Sequence, residues 1–168
     1  MTALQSILVP VDGSPPSLAA LEHATALAEE GTARVDVLHI VTNEEFSVGS
    51  TSPLSPDARH EIDLALRAAV ERAKARLGGR VSRRNVAGDP LRTIVETARE
   101  GQYDLIVLGT HGRIGRLHEM LGSVAEGVVR NAPCPVLTVR EPGGGYQSFA
   151  ERRHGRPSVG EPPARPAH

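Results

Sequence analysis

Residues 105–124 read Leu-Ile-Val-Leu-Gly-Thr-His-Gly-Arg-Ile-Gly-Arg-Leu-His-Glu-Met-Leu-Gly-Ser-Val. The apolar run Leu105-Ile106-Val107-Leu108 has the character of a strand buried on both faces. Glycines follow at 109, 112, 115 and 122, and Ser123 opens an apolar segment of helical character over 124–129. A strand, a glycine-rich loop and a helix start together suit a bound phosphate. Glycine lets the backbone come close to an anion, and the helix start turns free N–H groups and a positive dipole end toward it. The Ser123 hydroxyl adds a donor. The spacing G-x2-G-x9-G-S falls on Gly109, Gly112, Gly122 and Ser123. It matches neither the G-x-x-x-x-G-K-[ST] nor the G-x-G-x-x-G fingerprint, and the chain's only lysine, Lys74, is far from the loop. A surface loop with no ligand remains open on these residues alone.

Outward from this stretch the chain alternates strand and helix patterns. Residues 5–11 form a continuous apolar strand, and Asp12-Gly13-Ser14 is its turn. Ser14 suits an N-cap and Pro15 the first helical position, with Leu18, Leu21 and Ala28 on one helix face up to Gly31. Residues 35–41 read as a second buried strand, and 42–55 as a surface loop. Ser55-Pro56 starts a helix whose Ile62, Leu66, Ala69, Val70, Ala73 and Leu77 share a face, ending at Gly78-Gly79. Residues 81–87 form a third strand, where Arg83 and Arg84 point to a sheet edge. Asp89-Pro90 begins a helix that stops at Gly101. Strand 104–109, helix 122–131 and strand 136–140 complete the order. Strict alternation implies right-handed crossovers and a parallel sheet.

Composition narrows the function. The 168 residues suit one domain, and aromatics make up only 2%, so the core is expected to be aliphatic. A net charge of −1 leaves no basic footprint for nucleic acid. One cysteine, Cys134, excludes an internal disulfide, and its Pro133 and Pro135 neighbours carry no nucleophile pattern. No apolar run approaches membrane-spanning length, and no signal peptide is visible, so the expected location is cytoplasmic. His118 and Glu119 have no metal partner at a recognisable spacing, and the other histidines form no cluster, so no metal site is expected.

Two further stretches carry a family likeness. Ile7-Leu8-Val9-Pro10-Val11-Asp12-Gly13-Ser14 resembles the first strand and turn of the universal stress protein family. Asn131-Ala132-Pro133-Cys134-Pro135-Val136-Leu137-Thr138-Val139-Arg140 resembles its last turn and strand. With the glycine loop between them, the likeness is to the ATP-binding subclass. It covers residues 4–140, within a domain over 1–141 and ahead of a tail over 142–168. Gly and Pro punctuate the tail, and it is expected to be disordered. Gly127, inside the last helix, departs from the family's usual longer side chain. A helical glycine there is expected to weaken the helix by about 0.5–1 kcal/mol.

The resemblance implies a three-layer α/β/α fold with an open five-stranded sheet of order 3-2-1-4-5, Rossmann-like and of the adenine-nucleotide hydrolase type. It implies ATP as ligand, with any Mg2+ held by the phosphates. It places Pro10, Val11 and Asp12 at the end of the first strand and Val41 at the end of the second, the latter offering main-chain bonds to adenine. Asp12 alone reads equally as an Asx-type turn residue. The loop contributes Gly109, His111, Gly112, Arg113, Gly122, Ser123 and Val124; Arg116 reads as a solvated charge. In that strand order strand 136–140 is a sheet edge made apolar by Val136, Leu137 and Val139, so a homodimer through it is expected. No general base, lysine or metal cluster accompanies the loop, so no dedicated catalysis is expected beyond slow ATP hydrolysis. A member of the same family that binds no nucleotide, and works through dimerisation and protein contacts, is the alternative.

Overall fold

The computed structural model describes residues 4–42, 55–110 and 121–140. Strand β1, Ser6–Val11, is buried at every position and forms the centre of the sheet. Around it the order is β3-β2-β1-β4-β5, with every pairing parallel. The other strands are β2 (Arg34–Val41), β3 (Val81–Ala87), β4 (Leu105–Gly109) and β5 (Val136–Val139). The helices are α1 (Pro15–Glu29), α2 (Pro56–Leu77), α3 (Pro90–Glu100) and α4 (Ser123–Asn131). The α/β fold and strand order expected from the resemblance are those observed.

The period-2 alternation of the strands feeds two separate cores. Ile7, Val9, Val35, Val37 and Val107 pack under α1 and α2 with Leu21, Leu66, Val70 and Leu77. Leu8, Leu38, Ile40, Ile106 and Leu108 pack under α3 and α4 with Ile94, Ala98, Ala125 and Val128. The side chains are almost wholly aliphatic, as the scarcity of aromatics requires.

Helix starts follow local chemistry. The Ser55 hydroxyl accepts from the Ala58 N–H at 3.1 Å, and the Asp89 carboxylate accepts from the Arg92 N–H at 2.8 Å, each followed by proline at the first helical position. At the other end of α1, the Arg80 guanidinium donates to the carbonyls of Ala28, Gly31 and Ala33 at 2.9–3.1 Å. It thereby adds a charged donor for carbonyls at and just beyond the end of the helix. Arg76 ties α2 to α1 through Glu22 and Glu29.

Arg83 and Arg84 stand on β3, an edge strand, as their charge predicts. Arg83 pairs with Asp63 of α2 at 3.0 Å. Gly127 has a packing role that its helix propensity does not reveal. A Cβ there would come within 2.6 Å of Leu91 Cδ2, so glycine lets α4 lie close against the start of α3. The weakening expected from propensity is set against this closer approach. The tail lies outside the described residues, as does most of the 42–55 loop.

Candidate functional site

The sheet reverses its winding at β1, which has β2 on one side and β4 on the other. The turn after β1 runs to α1 on one face, and the segment after β4 leads to α4 on the opposite face. Asp12 and Gly109 therefore end adjacent strands, whose spacing is about 4.8 Å. In open parallel sheets this switch point is where ligands bind. The β1–β2 ladder runs from Ser6–Arg34 to Val11–His39, whereas the β1–β4 ladder contains only Ile7–Leu105 and Leu8–Ile106. Pro10 lies beyond the end of the shorter ladder and has no N–H with which to extend it. The ladder between the two central strands therefore stops short of their carboxyl ends.

The β1 turn is built by Asp12. Its Oδ1 accepts from the Ser14 N–H at 3.0 Å and from the Ser14 hydroxyl at 2.5 Å, an Asx-type turn. Gly13 sits at φ +81, in the left-handed region, and Ile62 of α2 packs against it. Ser14 occupies the N-cap position of α1, but its side chain makes no cap bond, because the hydroxyl is turned back to Asp12. The local turn reading of Asp12 is therefore realised; a carboxylate has further acceptor capacity for a ligand.

At the start of α4, Gly122 is the N-cap residue, at φ −63 and ψ 153. Its N–H donates to the Thr110 carbonyl at 2.8 Å, so the N–H groups left over at the helix start begin one residue later than the glycine. The first intrahelical bond is from Glu126 N–H to Gly122 O. The N–H groups of Ser123, Val124 and Ala125 consequently precede the i→i−4 ladder, at the positive end of the helix dipole. Ser123 is exposed, and Val124 packs against the α3–α4 core. Glu126, the acidic residue of this first turn, is paired with Arg130 at 2.8 Å.

Gly109 has a packing role beside the one its place in the glycine pattern implies. A Cβ on it would lie 2.8 Å from Pro16 C and Ser17 N and 2.9 Å from Pro16 Cβ. Glycine at 109 is thus what lets β4 pass against the backbone at the start of α1. The carbonyl of Val11 accepts from His39 Nδ1 at 2.9 Å, and that of Val41 from the Gly88 N–H at 3.1 Å. Both strand-end carbonyls therefore have protein partners already. His111, Gly112 and Arg113 lie outside the described residues.

Three residues that hold the site in shape escaped the sequence reading. Thr110, buried at 5% exposure, donates its N–H to Val139 O at 2.8 Å and accepts from Gly122, bracing the start of α4 against the end of β5. Ser17 and His39 grip the backbone on either side of the Val11–Asp12 peptide. Each of these bonds joins residues that the sequence alone does not pair.

A model of the universal stress protein family matches residues 3–140, the whole sheet with both strand-end turns. The chain belongs to the universal stress protein family. A universal stress protein of Methanocaldococcus jannaschii is 37% identical over 142 residues, 82% of this chain and 83% of that one. The solved universal stress protein UspA from Lactobacillus plantarum aligns with a TM-score of 0.67 at 28% identity, covering 83% of this chain and 100% of that chain. A crystal structure of a universal stress protein in complex with cAMP aligns with a TM-score of 0.62 at 31% identity, covering 83% of this chain and 99% of that chain. Among the described residues no helix is long and apolar enough to cross a membrane.

Proposed function

We propose that this chain is a regulatory nucleotide-binding module of the universal stress protein family, with ATP as its ligand and any Mg2+ carried by the phosphates. The observation that carries the reading is that two features follow adjacent strands, β1 and β4, at the point where the sheet reverses its winding. One is the Asp12 turn, an acceptor suited to ribose or adenine; the other is the start of α4, where Ser123, Val124 and Ala125 precede the helical ladder. The cAMP complex of a relative 31% identical supports an adenine nucleotide as the ligand class. In this reading the phosphates lie at the start of α4, with Gly122 leaving room for them and the Ser123 hydroxyl donating. Pro10, Val11 and Val41 line the approach, and His111, Gly112 and Arg113 contribute from the loop. No step of catalysis is assigned, and the protein works in the cytoplasm by presenting nucleotide-dependent surfaces. Mass spectrometry of small molecules released from the purified recombinant protein tests the reading: an adenine nucleotide is expected, and a different ligand class would displace it.

Dimerisation through β5 belongs to the same proposal. β5 is a sheet edge, with Leu137 38% exposed, and Val129 of the neighbouring α4 is 50% exposed. A two-fold axis would set two such edges against each other in a closed pair.

A further inference from the structure

The peptide unit that joins Val11 to Asp12 is held at both ends by side chains from other elements. Its carbonyl accepts from His39 Nδ1 at 2.9 Å, from a residue 28 positions away on β2. Its N–H donates to Ser17 Oγ, on α1, at 3.3 Å. The Ser17 hydroxyl is itself oriented, since it donates to Ser14 O at 2.9 Å. Both side chains are sealed from solvent, with His39 8% and Ser17 5% exposed. A carbonyl has no proton to give, so Nδ1 carries the hydrogen. His39 is in register with Val11 on one side and with Asn85 on the other, which puts the ring level with the last residue of β1.

An aliphatic residue would fill this volume as well, as Val35 and Val37 do on the same strand face. What a histidine adds is a second, side-chain donor for a strand-end carbonyl at the point where β1 leaves the sheet. The β1–β2 register already gives this carbonyl the Ile40 N–H, and a second donor on its other lone pair narrows the tilt that a single ladder bond leaves. With the carbonyl tilts the whole peptide plane, because the peptide bond is rigid. That plane sets the direction in which Asp12 leaves the strand.

We propose that His39 is a positioning residue for the candidate nucleotide site: with Ser17 it fixes the plane of the Val11–Asp12 peptide, and so the orientation of the Asp12 turn toward the sugar and base of an adenine nucleotide. This inference rests on the nucleotide reading given above. It separates the site into two halves. The β1 half, set by His39, meets the nucleoside; the α4 half, set by Thr110 and Gly122, meets the phosphates.

The test compares wild type, His39→Leu and His39→Asn, the last keeping a side-chain N–H close to the place of Nδ1. Amide exchange in the nucleotide-free proteins reads the turn directly. In His39→Leu the amides of residues 12–14 are expected to exchange roughly tenfold faster, with those of α4 unchanged, and His39→Asn is expected to recover most of the protection. Calorimetry then reads binding of AMP, ATP and inorganic tripolyphosphate. His39→Leu is expected to lose roughly tenfold in affinity for both AMP and ATP, with His39→Asn intermediate and tripolyphosphate unaffected. Unchanged exchange at 12–14, unchanged AMP affinity, or an equal loss for tripolyphosphate would each overturn the positioning role. A wild-type protein that binds neither AMP nor ATP would instead remove the nucleotide reading, with the exchange data alone then deciding whether His39 fixes the turn.

Discussion

Substituting Gly109 by alanine separates packing from phosphate contact at the head of the glycine loop. The added Cβ would lie 2.8 Å from two backbone atoms of α1, Pro16 C and Ser17 N, and 2.9 Å from Pro16 Cβ. Comfortable carbon contacts are about 3.5–4.0 Å, so the strand and the helix must part by more than half an ångström. Neither side yields easily. Gly109 is in register with Val139 of β5, and the start of α1 is pinned by the Ser14 and Ser17 hydroxyls. Overpacking of this kind costs about 1–3 kcal/mol. Gly109 does not have a positive φ, so no backbone strain is added, and the smaller unfolded-state entropy of alanine offsets about 0.4–1 kcal/mol. A net loss of about 1–2 kcal/mol is expected in urea denaturation at constant m-value. Gly31→Ala is the control, because nothing lies within 4 Å of a Cβ at that position. A Gly109→Ala protein within about 0.5 kcal/mol of wild type would refute the packing role and return Gly109 to the ligand.

Acid stability follows from three carboxylates. Backbone N–H donors from Gln5 and Ser6 hold Asp104 below the usual carboxylate range, and the Arg83 hydrogen bond does so for Asp63. Burial alone would raise Asp36, but donors from Ser82, Tyr103 and Arg34 outweigh it and lower the group. Because the folded values lie below the unfolded ones, the stability these groups add is complete above about pH 4 and is lost as pH falls through the lowered values. Urea midpoints are expected to be flat between pH 5 and 7 and to drop below about pH 4; a midpoint that rises on acidification would contradict this. Tyr103→Phe removes a hydroxyl that donates to Asp36 at 2.8 Å and accepts from Arg84 at 3.3 Å, and is expected to destabilise the protein by about 1–2 kcal/mol, with no loss expected if the network is inert. Light scattering at micromolar concentration is expected to give a dimer mass, and a monomer mass would exclude pairing through β5.

Most of the fold was legible because its signals are local. Ser55-Pro56 and Asp89-Pro90 mark helix starts by cap chemistry, and the observed caps use those side chains. Arg83 and Arg84 mark an edge because charge is tolerated there. The placing of β1 beside β4 needed the family resemblance, since pairing between strands so distant in the chain leaves no local pattern. The site was legible only in part for the same reason. Asp12, Gly122 and Ser123 advertise a turn and a helix start, but the partners that fix them come from other elements: His39 from β2, Ser17 from α1 and Thr110 from the end of β4. Gly109 and Gly127 were read through backbone freedom, while the structure accounts for them through neighbours, Pro16 and Leu91, that no local rule connects to them.

Isothermal titration of ATP into wild type, Gly122→Val and Ser123→Ala tests the central claim most directly. Gly122 is at φ −63, so valine fits the backbone, and the Gly122 N–H bond to Thr110 O survives the change. Both variants are therefore expected to fold as wild type by circular dichroism. Micromolar or tighter ATP affinity is expected for wild type, none for Gly122→Val, and a loss of about 1–2 kcal/mol for Ser123→Ala, where one hydroxyl donor to a charged acceptor is removed. Wild type with no affinity below the millimolar range, or Gly122→Val binding as well as wild type, would contradict the assignment of the α4 start as the phosphate site.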